Sequence, residues 1–271
     1  MAPWETDYAK ALEASRKSGK SVFVYFESLG GGLPKRIAKA LEAPRFLEWA
    51  KGHVLLYHLS CGLPDESHPR LQQEKGGGWL YVHMAILDAE GHVLAKGTWL
   101  DDAEDCFDEQ AAQAALDAGR NKEGTLRGLA EKGDRTASLE LLEHDVALWN
   151  LGPQGLEKRL AALGRLDAGE AAAAAGLRAG AEYVEACQRA DSPQDLRRLC
   201  VEMFRGGKLP CSTLRFAFLS EVLEGAHQER DAIVLEQALG RFREWHGMDP
   251  RFAWGIGQWQ ERLEKLKSRR P

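Results

Sequence analysis

The sequence predicts an α/β domain, in which helices flank a mixed four-stranded sheet, followed by an all-α domain. Over residues 1–118, apolar patterns of helix and strand alternate in the order α-β-α-β-α-β-β-α. Beyond residue 120 the strand-like alternation stops, and helical segments follow one another with short breaks rich in Gly, Pro, Asp or Ser. We therefore predict two domains, 1–120 and 121–271, divided at "GRNK", residues 119–122.

Each element of the first domain has its own signal. The strands are short apolar runs bounded by turn residues, and the helices carry apolar residues three and four apart. A helix joins the first two strands, which makes them parallel with a right-handed crossover. "DAEG" joins the last two as a hairpin, with Gly91 where φ is positive. The predicted elements are a helix at 4–18, a strand at 21–27, a helix at 34–50 bent near Pro44, strands at 53–59, 79–87 and 92–99, and a helix at 102–118.

The second domain is predicted from helix-length apolar patterns. Pro153, Pro193 and Pro250 stand near helix starts, where the missing N–H costs nothing. Paired helices of this length are typical of α-hairpin arrays such as tetratricopeptide-like solenoids, although the sequence shows no clean repeat period. The helical segments are predicted at 123–132, 135–150, 153–163, 168–189, 192–205, 211–226, 229–246 and 249–268.

Composition excludes several classes of function. The net charge of −5 gives no reason to expect that the protein binds nucleic acid. No apolar run approaches the roughly 18 residues that a membrane span needs. The opening "MAPWETDYAK" lacks the basic and apolar regions of a signal peptide. We expect a cytoplasmic protein, or an exported one from which a signal peptide has been removed. The five cysteines form no CxxC pair and no disulfide framework.

The opening of the chain resembles a known family. Trp4, Ala11, Ala14 and "GKSVFVYF" match the start of bacterial thioredoxin-like domains, and "HPRLQQEKGGGWLYVHMAILDAEGHVL" matches their later helix, strand and hairpin. The resemblance covers a little under half the chain. It implies a thioredoxin-like fold for the first domain.

The departures from this family bear on chemistry. The resemblance places the Cys-x-x-Cys dithiol at Gly32 and Lys35, and the cis-proline at Val82, followed by His83. Both sulfurs and the proline are missing. Thiol–disulfide exchange needs a thiolate and a resolving partner. The sequence therefore predicts that this domain is not an ordinary disulfide oxidoreductase.

The glycine-rich loop has two interpretations. Either Gly30, Gly31, Gly32, Leu33, Pro34 and Lys35 form a degenerate and chemically silent active-site loop, or the loop binds an anion. In the second case, backbone N–H groups of Gly31 and Gly32 at a helix N-terminus, with Lys35 and Arg36, hold a phosphate, sulfonate or carboxylate. The spacing is not that of a Walker A motif.

Two further hypotheses involve cysteine and histidine. Cys61 follows the second strand, near the glycine loop, and is the candidate for a lone reactive thiol. Cys106, predicted to open the helix at 102–118, lies at the same end of the sheet, so a bridge or a non-standard redox pair with Cys61 is an alternative. The acidic neighbours of Cys106 are expected to raise its thiol pKa and weaken its thiolate. His58, Cys61, His68 and His83 have metal-ligand side chains, but their spacing matches no standard site. We predict no metal and no cofactor.

Aromatic residues concentrate near the C-terminus. Buried, they join adjacent helices; exposed in a groove, they anchor a partner. Helical arrays commonly bind proteins, so we predict a non-catalytic interaction or adaptor protein with another protein as its partner. The alternatives are an atypical redox protein that uses Cys61 and a sensor of small anions. The aromatic residues are Phe216, Phe218, Trp245, Phe252, Trp254 and Trp259.

Overall fold

The computed structural model describes residues 4–26, 32–59, 84–101, 106–247 and 250–268. The chain divides into two compact units, Met1–Leu151 and Gly152–Pro271. The first contains a sheet with helices, and the second is helical throughout its described residues. This confirms the predicted order of an α/β part followed by an all-α part.

The first unit is organised around strand β1, Ser21–Phe26. The sheet order is β2-β1-β3-β4, with β2 at Val54–Leu59, β3 at Met84–Leu87 and β4 at Val93–Gly97. Strand β1 pairs parallel with β2 and antiparallel with β3, and β4 pairs antiparallel with β3. The predicted mixed four-stranded sheet and its directions are thus confirmed.

Helices cover both faces of the sheet because successive side chains of β1 point in opposite directions. Val22, Val24 and Phe26 pack with residues of helix α1, Tyr8–Ser18. Phe23 and Tyr25 pack against the opposite group of helices. These are α2 at Gly32–Glu42, α3 at Pro44–His53 and α4 at Glu109–Glu131.

Two helix boundaries differ from the predicted ones for local reasons. The predicted bend at Pro44 is a break: α2 ends at Glu42, Ala43 is extended, and Pro44 starts α3, because proline lacks the N–H that a helix interior needs. The first helix begins at Tyr8, since the Asp7 side chain caps it. Glu5 instead forms a parallel bridge to Tyr57 of β2.

The helix predicted at 102–118 is confirmed over its later part, from residue 109, whereas Cys106 and Phe107 lie on a strand. Leu100–Asp101 (β5) pairs with Cys106–Phe107 (β6), and helix α4 begins only at Glu109. The Asp108 side chain accepts a hydrogen bond from the N–H of Ala111, which sets this start. Cys106 therefore lies on a short strand and does not open a helix.

The predicted boundary at 119–122 lies inside α4. Gly119 is buried where α4 crosses β4, and a Cβ on it would collide with the carbonyl oxygen of Leu94. Arg120 Nη2 donates to Ser21 Oγ over 2.7 Å. The glycine that suggested a linker is instead required for close packing of α4 on the sheet. The first unit therefore continues beyond residue 122.

Helix α5, Arg135–Ala147, packs on α4 and completes the first unit. After it, the Asn150 side chain accepts from the N–H of Val93 (2.7 Å) and donates to its carbonyl (3.0 Å). Asn150 therefore occupies part of the open edge of β4 and ties the end of this segment to the sheet. The unit ends at Leu151, some thirty residues beyond the predicted boundary at 120.

Six helices follow among the described residues of the second unit. Most have a polar cap or an early proline, and α7 has a full capping box between Asp167 and Glu170. A regular tetratricopeptide-like repeat stays a prediction. The helices are α6 at Pro153–Ala162, α7 at Ala168–Arg189, α8 at Pro193–Arg205, α9 at Ser212–Gln228, α10 at Ala232–His246 and α11 at Pro250–Ser268.

Helices that cross a bilayer are long and strongly apolar. Among the described residues, none combines enough length with enough apolar character to cross a bilayer.

Gly119→Ala tests the contact between α4 and β4. The added methyl group collides with the Leu94 carbonyl, and we expect a loss of about 2–4 kcal/mol in the free energy of unfolding. Gly124→Ala, in the same helix with open space around it, is the matched control and is expected to stabilise by up to about 1 kcal/mol. Urea denaturation measures both. Equal changes in the two variants would contradict the close contact between Gly119 and the Leu94 carbonyl.

His144 predicts a dependence of stability on pH. Burial, and then the charge of Lys122, hold its pKa below the ordinary 6.5. As pH falls below 6.5, the unfolded chain takes up a proton before the folded one, so the free energy of unfolding decreases. We expect His144→Gln to flatten this decrease in urea titrations between pH 7 and pH 5. His53→Gln, at an exposed position, is the control. An unchanged slope in His144→Gln would refute the prediction.

Candidate functional site

The sequence places its candidate site where β1 and β2 end, and the structure describes part of this region. Lys35 is exposed and Arg36 half-buried, both in the first half of α2, and Gly32 begins that helix. The remaining parts of the predicted sites, Gly30, Gly31, Cys61, His68, Val82 and His83, lie outside the described residues. The anion-binding hypothesis at Gly31, Gly32, Lys35 and Arg36 and the thiol hypothesis at Cys61 therefore stay predictions.

Aromatic rings lie beside this end of the sheet. The His58 ring stacks on Tyr25, with centroids 5.3 Å apart and planes 7° apart. Trp4 meets His58 edge-on at 5.9 Å and stacks on Phe46 at 6.0 Å. His58 is thus part of a ring cluster on the sheet. Of the four residues considered as metal ligands it is the one described, and this stacking gives it a structural role.

The second predicted thiol, Cys106, lies beside a cation. Arg45, in the first turn of α3, directs Nη1 to Cys106 Sγ over 3.5 Å, and its Nε forms an ion pair with Glu109. The same guanidinium holds the pKa of Glu109 below its usual value. Cys106 is a half-buried thiol. The acidic neighbours Asp102, Glu104 and Asp105 lie outside the described residues, so the predicted acidic environment of this thiol stays a prediction. The contact that the structure describes is with a guanidinium, a group that favours a thiolate in general.

This contact could not be found from local sequence. Arg45 and Cys106 are 61 positions apart, and β6, which carries the thiol, was predicted as helix. The two meet because β6 lies against α2 and the start of α3. What the arrangement offers chemically is one thiol near one cation, with no second described thiol at hand for disulfide exchange.

The cysteines of the second unit are structural. Cys187, Cys200 and Cys211 are 1%, 0% and 5% exposed, as expected for small buried apolar residues. Burial raises the pKa of Cys200 well above its usual value. It also raises the pKa of Tyr183, to which the neighbouring thiols of Cys187 and Cys200 add. Burial thus favours the protonated forms of the Cys200 thiol and the Tyr183 hydroxyl.

A cleft of about 770 Å³ opens at the other end of the sheet, near the start of β1. It contains residues of both signs, and several of them are already paired: Arg127 with Glu123, and Arg120 with Ser21. Lys20 donates to the carbonyl of Lys51. No local pattern in the sequence indicates this cleft, because its walls come from α1, the β3–β4 turn and α4.

An aromatic surface lies on the second unit. Phe216 of α9 is 44% exposed, and its ring contacts Phe242, His246 and Phe252 at 5.7, 5.7 and 5.1 Å. Beside it, Arg215 lies over the half-buried Trp245 ring at 4.5 Å. We call Arg215, Phe216, Trp245, His246 and Phe252 the aromatic surface.

The predicted aromatic cluster is therefore divided. Phe218 is fully buried, as a core residue should be. Trp245, Phe252 and Trp259 are half-buried, whereas Phe216 and Trp254 are exposed. Residues at positions 216 and 218 lie on different sides of α9, so only one of them can face the core.

No protein family, curated protein or solved structure matches the chain. Its chemistry is read from its own residues. Within the described ranges they provide a thiol beside a guanidinium, a helix start with two cations, and an aromatic surface with an arginine. The first two are incomplete as catalytic sites; the third has the residue types of a binding surface.

The reactivity of Cys106 tests the site around Arg45. We expect Cys106 to be alkylated by iodoacetamide in the folded protein, while Cys187, Cys200 and Cys211 react only on unfolding. Arg45→Met should slow the reaction of Cys106 about threefold or more, because a nearby guanidinium favours the reactive thiolate. Peptide mass spectrometry gives the rates.

Lys51→Met is the matched control for this variant, since Lys51 is an exposed cation at the other end of α3. It should leave the rate for Cys106 unchanged. Equal rates in Arg45→Met and wild type would show that the guanidinium has no influence on the thiol.

Proposed function

We propose that the chain is a non-catalytic protein with a thioredoxin-like first unit, whose helical second unit binds another protein. The observation that carries protein binding is the aromatic surface. The thioredoxin-like part is supported by the sheet: the resemblance implies two parallel strands joined through a helix and a final hairpin, and the order β2-β1-β3-β4 has both.

The absence of the dithiol supports a non-catalytic role. The positions that the resemblance assigns to the two sulfurs carry Gly32 and Lys35. Neither side chain can attack a disulfide. Cys106 lies away from these two positions, on a short strand, and contacts Arg45 at the start of α3.

The aromatic surface supports binding for an energetic reason. Contact of a phenylalanine ring with water is unfavourable. When a partner covers the ring, binding is stabilised by about 25 cal/mol per Å² of apolar area that is buried. Phe, Trp and Arg are enriched in protein interfaces, where rigid rings provide contact area at little cost in side-chain entropy. Phe216 is held by the rings of α10 and α11 and is therefore already ordered for binding.

Phe216→Ala tests the proposed binding surface. The wild-type protein should capture its partner from an extract of the native cells. With this variant, the captured amount, measured by quantitative mass spectrometry, should fall about tenfold or more. Ile233→Ala is the matched control, since Ile233 is an exposed apolar residue of the same unit, 59% accessible. It should retain capture. Identical captured sets for wild type and Phe216→Ala would reject the aromatic surface.

An insulin-reduction assay tests the absence of redox activity. We expect no turnover above the dithiothreitol background with the wild-type protein. The alternative, an atypical redox protein that uses Cys61, predicts turnover that Cys61→Ser abolishes and Cys106→Ser leaves intact. Turnover lost in Cys106→Ser would instead assign the activity to the thiol beside Arg45.

The other alternative is anion binding at the glycine loop. It rests on the cations Lys35 and Arg36 near the start of α2. It predicts that phosphate or sulfate raises the melting temperature, and that Lys35→Met removes this rise. A melting temperature indifferent to phosphate, sulfate and small carboxylic acids counts against it.

A further inference from the structure

We propose that the outer face of α11 pairs with the same face of a second copy of this chain, in antiparallel orientation. This face carries Trp254, Gln258, Glu261 and Lys265. Their spacing of three or four residues places them in one row along the helix. We call these four residues the outer row; it contains no residue of the aromatic surface.

Trp254 is the first reason for expecting a partner here. It is 78% exposed, the highest exposure among the large hydrophobic residues described. Trp259, on the same helix, shows the usual alternative: its ring packs edge-on to His227 and under the guanidinium of Arg262. Nothing described within the chain covers the indole of Trp254 in this way, so a large apolar surface remains in water.

The second reason is the order of side chains along the row, which is complementary to the same row of a second copy in antiparallel orientation. In an antiparallel pair, Trp254 of one copy lies opposite Lys265 of the second, and Gln258 opposite Glu261. Both pairs are centred on the same point, between Trp259 and Gln260, so one two-fold axis satisfies them together. Each chain then contributes an ammonium over an indole ring and an amide donor to a carboxylate.

The two charged side chains that this pairing uses are available, and Gln258 is half-buried. Glu261 and Lys265 are exposed, and neither forms an ion pair with any residue that the structure describes. The neighbouring charges of α11 differ in this respect: Glu264 accepts from Gln260, and Lys267 pairs with Glu236 of α10. Charged groups that face α10 are thus satisfied within the unit, while those of the outer row are left for a partner.

Gly257 is the third reason. It borders the outer row in the middle of α11, where glycine costs roughly 1 kcal/mol relative to alanine. A Cβ on Gly257 would have nothing within 4 Å. Packing inside this chain therefore does not require glycine at this position. The missing side chain at this position would let the backbone of a second helix approach the row closely.

The contact area sets the strength of the pair. One helix face on another buries less than the roughly 1,200 Å² of a standard specific interface, so we expect a weak, concentration-dependent dimer. Two tryptophans, related by the two-fold axis, supply most of the apolar area, since an aromatic side chain buries about 150–250 Å².

Sedimentation velocity of the full chain, from about 1 to 200 µM with a reducing agent present, tests the proposal. The wild-type protein should shift from monomer towards dimer with concentration. Trp254→Ala should raise the dissociation constant about tenfold or more, and Lys265→Glu should also raise it. Gln258→Lys, which places an ammonium opposite Glu261, should lower it. A wild-type protein that stays monomeric throughout overturns the proposal.

The two glycines of α11 give a pair of variants that separates packing from folding. Gly255 also has open space around it, but it lies off the outer row. Both Gly255→Ala and Gly257→Ala should raise the melting temperature of the monomer. Only Gly257→Ala should weaken the dimer, because its methyl group stands between the helices. Equal dimerisation of the two variants would exclude this face.

Phe216→Ala distinguishes this pairing from the binding of another protein. It should leave the dissociation constant of the dimer unchanged. Dimerisation lost in Phe216→Ala and retained in Trp254→Ala would assign self-association to the aromatic surface and overturn the outer row.

Discussion

The first unit depends on one constraint: strand β1 is buried on both faces. All six of its residues are buried, and Val22 and Phe23 are 0% exposed. A strand of this kind cannot lie at an edge or face water on one side, because each exposed apolar side chain would lose burial energy. It must be paired on both sides and covered by helices above and below. The helical layers on both faces of the sheet meet this requirement.

Covering the sheet requires close contacts at particular positions. Helix α4 can lie against β4 only because Gly119 lacks a side chain. The open edge of β4 is then partly covered by the segment after α5. There Trp149 has a positive φ of 67°, which is uncommon for a residue other than glycine. This turn directs Asn150 onto Val93, while Lys96 lies over the Trp149 ring at 3.9 Å.

The second unit distributes its aromatic residues between two roles. Phe218 and Tyr183 are fully buried with their ring centroids 5.5 Å apart, and they join α9 to α7. Phe216 and Trp254 lie at the surface, on different helices. The ring of Phe216 packs against three other rings, and Arg215 lies beside it. The outer row, which contains Trp254, carries charges of both signs and is therefore complementary to the same row of a second copy.

Sequence alone determined the elements whose signals are local. The apolar runs of β1 and β2, the succession of helices, the turn at Gly91 and the absence of a CxxC pair can be read residue by residue. Tertiary structure decided what those residues meet. Gly119 looked like a linker, yet it is the point where a helix crosses a strand. Cys106 looked helical, yet β6 brings it to Arg45. Periodicity shows that Phe216 and Phe218 point to opposite sides of α9. It does not show which side is water, because that depends on where the other helices lie.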